Sequence, residues 1–114
     1  MPDSDLPYLQ HMLAAVDKLQ RYLEGVDWEG FETDEILQDA VIRQLEILGE
    51  AANRVSEKTR GTVPGIPWSK VIGTRHRLSH GYLSVDLEVV WHTATQAVPG
   101  LRSDLETAVQ GFIE

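Results

Sequence analysis

The 114-residue chain contains no cysteine. That absence excludes a disulfide scaffold, a thiolate zinc site and a cysteine nucleophile. No apolar run approaches the roughly 18 residues that a membrane-spanning helix needs. Residues 1–5 are acidic and lack the basic-then-apolar pattern of a secretory signal. We therefore expect a cytoplasmic protein without a membrane partner, and its length fits one domain covering residues 1–114.

Acidic residues are also missing from one long window, between Glu57 and Asp86, although the whole chain carries a net charge of −8. The overall charge disfavours a general nucleic-acid binder, because phosphate neutralisation dominates such binding. The window itself counts +5, which leaves −13 on the rest of the chain. This excess predicts a local anion site, with a chance gap in a short chain as the alternative. Its basic residues and histidines are Lys58, Arg60, Lys70, Arg75, Arg77, His76 and His80.

Apolar residues recur every three or four positions, which is the period of an α-helix. The first helix is expected from Leu6 to Leu23, with Gly25 as its stop and a loop over residues 26–31. A second helix is expected from about residue 34 to about 59, with Thr33 as its N-cap.

Residues 61–67 are rich in glycine and proline and predict an ordered loop. A third helix should run from Pro67 to about His80. Asp86 should cap a fourth helix, whose apolar positions are Leu87, Val90, Ala94 and Ala97. Pro99 and Gly100 interrupt this helix, and a helical apolar stripe then continues to the end of the chain. No strand-like alternation is present, so the pattern predicts an all-α bundle of four to five helices.

The polar chemistry concentrates in residues 73–82, which read GTRHRLSHGY. Arginine is always charged, and its planar fork matches phosphate. Histidine titrates near neutral pH and can move protons. Cleavage of RNA without a metal needs a base for the 2′-hydroxyl, a cation for the developing charge and an acid for the leaving oxygen. The run has no carboxylate, which disfavours a magnesium site.

Helix geometry sets a constraint on this run. On an unbroken helix Arg75 and His80 lie about 140° apart, so one small site cannot face both squarely. A long arginine reaching around, a loosened helix or a second subunit would each bring them together. His76 and His80 share a face at zinc-pair spacing, but the sequence offers no obvious third ligand.

The run resembles the motif of HEPN domains, in which an arginine and a polar residue are followed by three residues and a histidine. After the histidine come one further residue and a tyrosine, and this extension is similar to that of the HepT-like subgroup. Here these positions are Arg75, His76, His80 and Tyr82. One departure is His76, where HepT proteins more often carry asparagine. The flanking segments that also resemble HepT proteins are Ile66-Pro67-Trp68, Val85-Asp86, Val90-Trp91 and Gly49-Glu50-Ala51.

This resemblance implies a helical homodimer whose motif helices meet in a shared cleft. It implies a metal-independent endoribonuclease, without a cofactor, that acts as the toxin of a type VII-like toxin–antitoxin pair. The antitoxin partner would be a minimal nucleotidyltransferase that silences the toxin by attaching AMP to Tyr82. Arg75 and His80 would be catalytic, and His76 and Arg77 would support catalysis or RNA binding.

Structural alternatives stand beside these roles. Arg75 could form an ion pair, His80 could be a buried hydrogen-bonded histidine, and Tyr82 could be a packed aromatic. At the level of function, the chain could be a non-catalytic binding subunit of the nucleotidyltransferase, or a helical assembly module without chemistry.

Overall fold

The computed structural model describes residues 4–79 and 85–113, the side chains of 75–79 and 113 excepted. Its described part contains no β-strand, which confirms the expected all-α class. A π-helical turn, Thr93–Ala97, and a 3-10 turn, Pro99–Leu101, join the last two helices. The helices are α1 (Leu6–Leu23), α2 (Trp28–Glu32), α3 (Glu35–Arg54), α4 (Glu57–Thr62), α5 (Trp68–Ser79), α6 (Leu87–His92) and α7 (Arg102–Ile113).

Helix α3 lies at the centre and packs along α1 and α5, while α1 also packs on α7. The expected apolar stripes of α1 and α3 supply much of the core, because positions three and four apart share one helix face. None of the described helices is both long and apolar enough to cross a membrane. The largest fully buried side chains include Phe31, Leu9, Met12, Leu19, Leu45, Ile66, Leu105, Val16, Val41, Val90 and Val98.

The single helix expected over residues 34–59 is wrong, because the chain breaks after Arg54. Val55 turns into an extended conformation with ψ 133°, and the Ser56 hydroxyl accepts from the Thr59 amide to start α4. The buried Asp5 carboxylate fixes this break by accepting hydrogen bonds from the Ser56 amide at 3.1 Å and the Thr59 hydroxyl at 2.5 Å. Residues 56–59 carry no apolar side chain, so the apolar pattern does not show where α3 ends and α4 begins.

The loop expected over residues 26–31 is also wrong, since residues 28–32 form α2. The Asp27 carboxylate caps this helix by accepting from the Gly30 amide at 2.8 Å. The N-cap of α3 is Asp34 rather than Thr33, and its carboxylate accepts from the Leu37 amide. The Thr33 hydroxyl instead donates to the Glu29 carbonyl.

Asp86 caps α6 as expected, because its carboxylate accepts from the Glu88 and Val89 amides. A π-helical turn precedes Pro99, which has no amide hydrogen to continue an α-helix. Within this turn the Val98 amide bonds the Thr93 carbonyl, five residues earlier. This turn leaves Ala97 exposed and buries Val98. The α-helical spacing places Ala97 on the apolar stripe, and that prediction is wrong.

The loop before α5 is ordered, but it begins at Val63 rather than at residue 61, because α4 extends to Thr62. The Trp68 indole N–H donates to the Val63 carbonyl at 3.1 Å, and the Pro67 carbonyl accepts from the Lys70 and Val71 amides. The backbone of Gly65 lies close to α7, because a Cβ at that position would lie 2.6 Å from an Asp104 carboxylate oxygen, and the Asp104 side chain would have to move to admit it. The loop therefore fixes the start of the motif helix against the bundle.

Candidate functional site

Helix α5 carries the first half of the candidate motif. Arg75, His76 and Arg77 lie in its C-terminal half, and the helix extends at least to Ser79. His80 and Tyr82 fall outside the described residues. The structure thus places three of the five predicted site residues on one helix and leaves the pairing of Arg75 with His80 as a prediction.

The helical register of α5 distinguishes the three residues. Arg75 follows Val71 by four positions and Trp68 by seven, so it belongs to the stripe that contains the buried Val71. His76 lies about 100° around the helix from Arg75. This register is compatible with both readings of Arg75, as a phosphate ligand and as a structural ion-pair partner.

Both this stripe, through Val71, and a second stripe of α5 border a cavity of 650 Å³ between α3, α5 and the π-helical turn. Lys70 and Thr74 line this cavity, and Arg77 continues their spacing three residues further along the helix. Apolar side chains, including Leu45 and Leu48 of α3, form its opposite wall. A concave, mostly apolar space with a few polar groups is a common setting for a ligand site.

Thr93 lines the same cavity from the π-helical turn and was not predicted as a site residue. Its hydroxyl donates to the Val89 carbonyl at 2.7 Å, and the Thr74 hydroxyl donates to the Lys70 carbonyl at 2.9 Å. π-helical turns are frequent at functional sites. The only sequence signal for this turn is Pro99, whose missing amide hydrogen disrupts the preceding helical ladder.

The flanking segments that resemble HepT proteins have clear structural roles. The Trp91 ring centre lies 5.2 Å from that of Phe31 and 6.2 Å from that of Trp28, so Trp91 is an aromatic anchor between α6 and α2. Glu50 pairs with Arg54 at 3.3 Å on α3. The Tyr8 hydroxyl and the Glu50 carboxylate both raise the pKa of Arg54 above its ordinary value.

Across residues 4–79 and 85–113, no three histidine, aspartate or glutamate side chains come together in a way that could hold a metal ion.

Comparison with known proteins gives a consistent assignment. The family model for ribonuclease HepT-like proteins matches residues 12–108. A protein named "Probable ribonuclease HepT" from Thermococcus cleftensis is 33% identical over 106 residues, covering 93% of this chain and 96% of its own length. No solved structure gives a significant match.

Two further relatives are provisionally named RNases. One, from Caldanaerobacter subterraneus subsp. tengcongensis, is 32% identical over 104 residues, covering 91% of this chain and 93% of its own length. The other, from Methanocaldococcus jannaschii, is 31% identical over 115 residues, covering 100% of this chain and 99% of its own length. Since the family model and these relatives span nearly the whole chain, the chain belongs to the HepT-like family of HEPN ribonucleases.

Proposed function

We propose that the chain is a metal-independent endoribonuclease that acts in the cytoplasm as the toxin of a type VII-like toxin–antitoxin pair. The observation that carries this proposal is the position of Arg75, His76 and Arg77 on α5 in a chain of the HepT-like family. Family membership supports ribonuclease activity. The toxin role, the partner and the chemistry at each residue are the proposal's own content.

The proposed chemistry uses the 2′-hydroxyl of RNA as the nucleophile. His80 takes the proton from this hydroxyl or delivers one to the leaving 5′-oxygen, and Arg75 neutralises the charge that develops on the phosphate. Arg77 and His76 hold neighbouring phosphates or assist proton transfer. Lys70 lies on the stripe that leads toward Arg77, so it adds to the attraction of RNA in an otherwise acidic chain.

A homodimer would complete the site. On a straight helix Arg75 and His80 would lie about 140° apart. A symmetric interface between two copies of the motif helix can bring Arg75 of one subunit and His80 of the other into a shared cleft. The basic window would then form one positively charged cleft between two acidic bodies.

Control of the activity is proposed to act through Tyr82. A minimal nucleotidyltransferase would transfer AMP to its hydroxyl and place a phosphodiester, with one negative charge, close to Arg75 and His80. That charge would compete with the RNA phosphate for the same cations and would repel the RNA backbone.

Expression of the chain with and without a minimal nucleotidyltransferase encoded beside it tests the proposal. Growth and RNA integrity should both fall when the chain is expressed alone and recover with the partner. Unchanged RNA in cells that express a folded chain would contradict the ribonuclease proposal and favour a non-catalytic subunit that presents substrate, or itself, to the nucleotidyltransferase.

A further inference from the structure

A groove of 410 Å³ runs between α1 and α3, lined by residues that the motif does not use. We call it the α1–α3 groove. The rings of Tyr8 and His11 line it on the α1 side, 6.4 Å apart and nearly perpendicular. Ile47 and the buried Ala51 line it on the α3 side. Its volume falls within the roughly 300–1,000 Å³ typical of small-molecule sites.

The charges of this groove balance. Two arginines, Arg43 and Arg54, and two glutamates, Glu46 and Glu50, line it. Arg54 is engaged with Glu50 at 3.3 Å, and its carbon Cζ lies 6.0 Å from the centre of the Tyr8 ring. Because the formal charges of these four side chains cancel, the groove is poorly suited to a free phosphate and better suited to a neutral, planar ligand with both donors and acceptors.

Arg43 and Glu46 supply those polar contacts. Neither side chain makes a hydrogen bond or an ion pair with any residue in the described part of the chain. Glu46 is half-buried and Arg43 is exposed, one turn apart on α3. An ionised carboxylate accepts two hydrogen bonds side by side, and a guanidinium donates two in a matching fork.

These observations match guanine among the RNA bases. Guanine presents two adjacent N–H donors, at N1 and N2, which a carboxylate can accept together. Its O6 and N7 atoms are acceptors that an arginine can bind with both arms. Its flat surface can stack on an aromatic ring, an interaction common to all bases. Adenine offers no such pair of donors to Glu46.

We propose that the α1–α3 groove is a base-binding site that prefers guanine, held by Glu46 and Arg43 and stacked on the Tyr8 or His11 ring. The claim that this base belongs to an RNA substrate rests on the proposed function. The preference for guanine does not, because it depends only on the groove. On RNA, the site would favour cleavage at a fixed number of nucleotides from a guanine.

Titration with guanosine and adenosine tests the proposal, followed through the NMR signals of the His11 ring and the Ile47 methyl groups. Neither nucleoside carries a phosphate, so neither probes the α5 motif as a phosphate site. We expect guanosine to shift these signals and to bind more tightly than adenosine. Glu46→Gln should weaken guanosine binding by about 10- to 100-fold, the range expected for one well-formed bidentate pair.

Glu32→Gln is the matched control, because Glu32 is an exposed glutamate of α2 and does not line the groove. It should bind guanosine as the unaltered chain does. The absence of guanosine-dependent shifts at His11 and Ile47 would overturn the proposal, as would equal affinities for guanosine in the unaltered chain and in Glu46→Gln. These results are independent of RNA cleavage, so failure here and failure of the ribonuclease proposal are distinguishable.

Discussion

The Asp5 carboxylate accepts a hydrogen bond from the Ser56 hydroxyl at 2.6 Å, joining residues 51 positions apart. Asp5 lies at the start of α1 and Ser56 caps α4, so this contact ties the first helix to the break after α3. Asp5 is only 4% exposed. Because α1 and α4 are joined here, the carboxylate stabilises the position of the loop that leads into α5.

Asp5→Asn should destabilise the fold by about 2 kcal/mol. The variant replaces a buried charged acceptor with a neutral one, and the NH₂ of the new side chain faces groups that donate hydrogen bonds to Asp5. Urea unfolding at neutral pH, followed by circular dichroism, measures the loss. Asp39→Asn is the control, since Asp39 is exposed on α3 and should change stability little. Equal stabilities of the two variants would contradict the structural role assigned to Asp5.

Stability should also fall in acid through the same carboxylate. Burial alone would raise the pKa of Asp5, but hydrogen bonds from the Ser56 hydroxyl, the Thr59 hydroxyl and the Ser56 amide lower it below the ordinary value of 3.8. A lowered pKa gives stability that is full above the ordinary value and is lost as pH falls through the folded-state pKa. Unfolding free energies measured below pH 4 should therefore decline less steeply in Asp5→Asn than in the unaltered chain.

The all-α class and most helix positions follow from the sequence, since the stripes of α1 and α3 obey the helical period. The break after Arg54 does not, because it is fixed by the Asp5 carboxylate, which accepts from the Ser56 amide 51 residues away. The short α2 depends on one local cap, Asp27, and its sequence contains Gly30, which disfavours a helix. For the site, the sequence identifies the motif residues by type and spacing. The sequence cannot identify the cavity that Lys70 lines, because that cavity depends on how the π-helical turn packs opposite α5.

His80→Ala and Arg75→Ala should each abolish RNA cleavage and toxicity while the protein stays helical. Removal of a proton-transfer group costs on the order of 10²- to 10⁴-fold in rate, and loss of a preorganised cation is of similar size. His92→Ala is the matched control, because His92 is exposed on α6. Cleavage of an RNA substrate and circular dichroism should be measured on the same samples. A folded His80→Ala protein that still degrades RNA would refute the catalytic role.

Cleavage should need no divalent metal and should leave a 2′,3′-cyclic phosphate. The reason is the absence of carboxylates between Glu57 and Asp86, beside histidines and arginines suited to attack by the 2′-hydroxyl. Reactions with EDTA should proceed at the unaltered rate, and mass spectrometry of the RNA fragments should show the cyclic ends. Activity lost in EDTA and restored by magnesium would rule out this mechanism.

The chain should form a homodimer in solution with residues 67–82 at the interface. Light scattering at micromolar concentration, without the partner, should give twice the 12.8 kDa mass of the chain. Mixing Arg75→Ala with His80→Ala then tests a shared site. If each active centre takes Arg75 from one subunit and His80 from the other, mixed dimers should recover part of the activity. A monomer in the scattering measurement would contradict the dimer and the shared cleft together.

The last prediction concerns Tyr82, two residues after His80 and next to Gly81. Protein co-expressed with the nucleotidyltransferase should carry one or more AMP units on Tyr82, each adding a phosphodiester and one negative charge. Because that charge occupies cations needed for RNA, the modified protein should be inactive yet as helical as the unmodified one. Tyr82→Phe removes the hydroxyl, so it should block the modification and stay toxic even with the partner present. Tyr22→Phe, on α1, is the control and should be modified and silenced normally. Intact-mass and peptide spectra measure the modification, and an unmodified Tyr82 in a fully silenced complex would mean that the partner inhibits by covering the cleft instead.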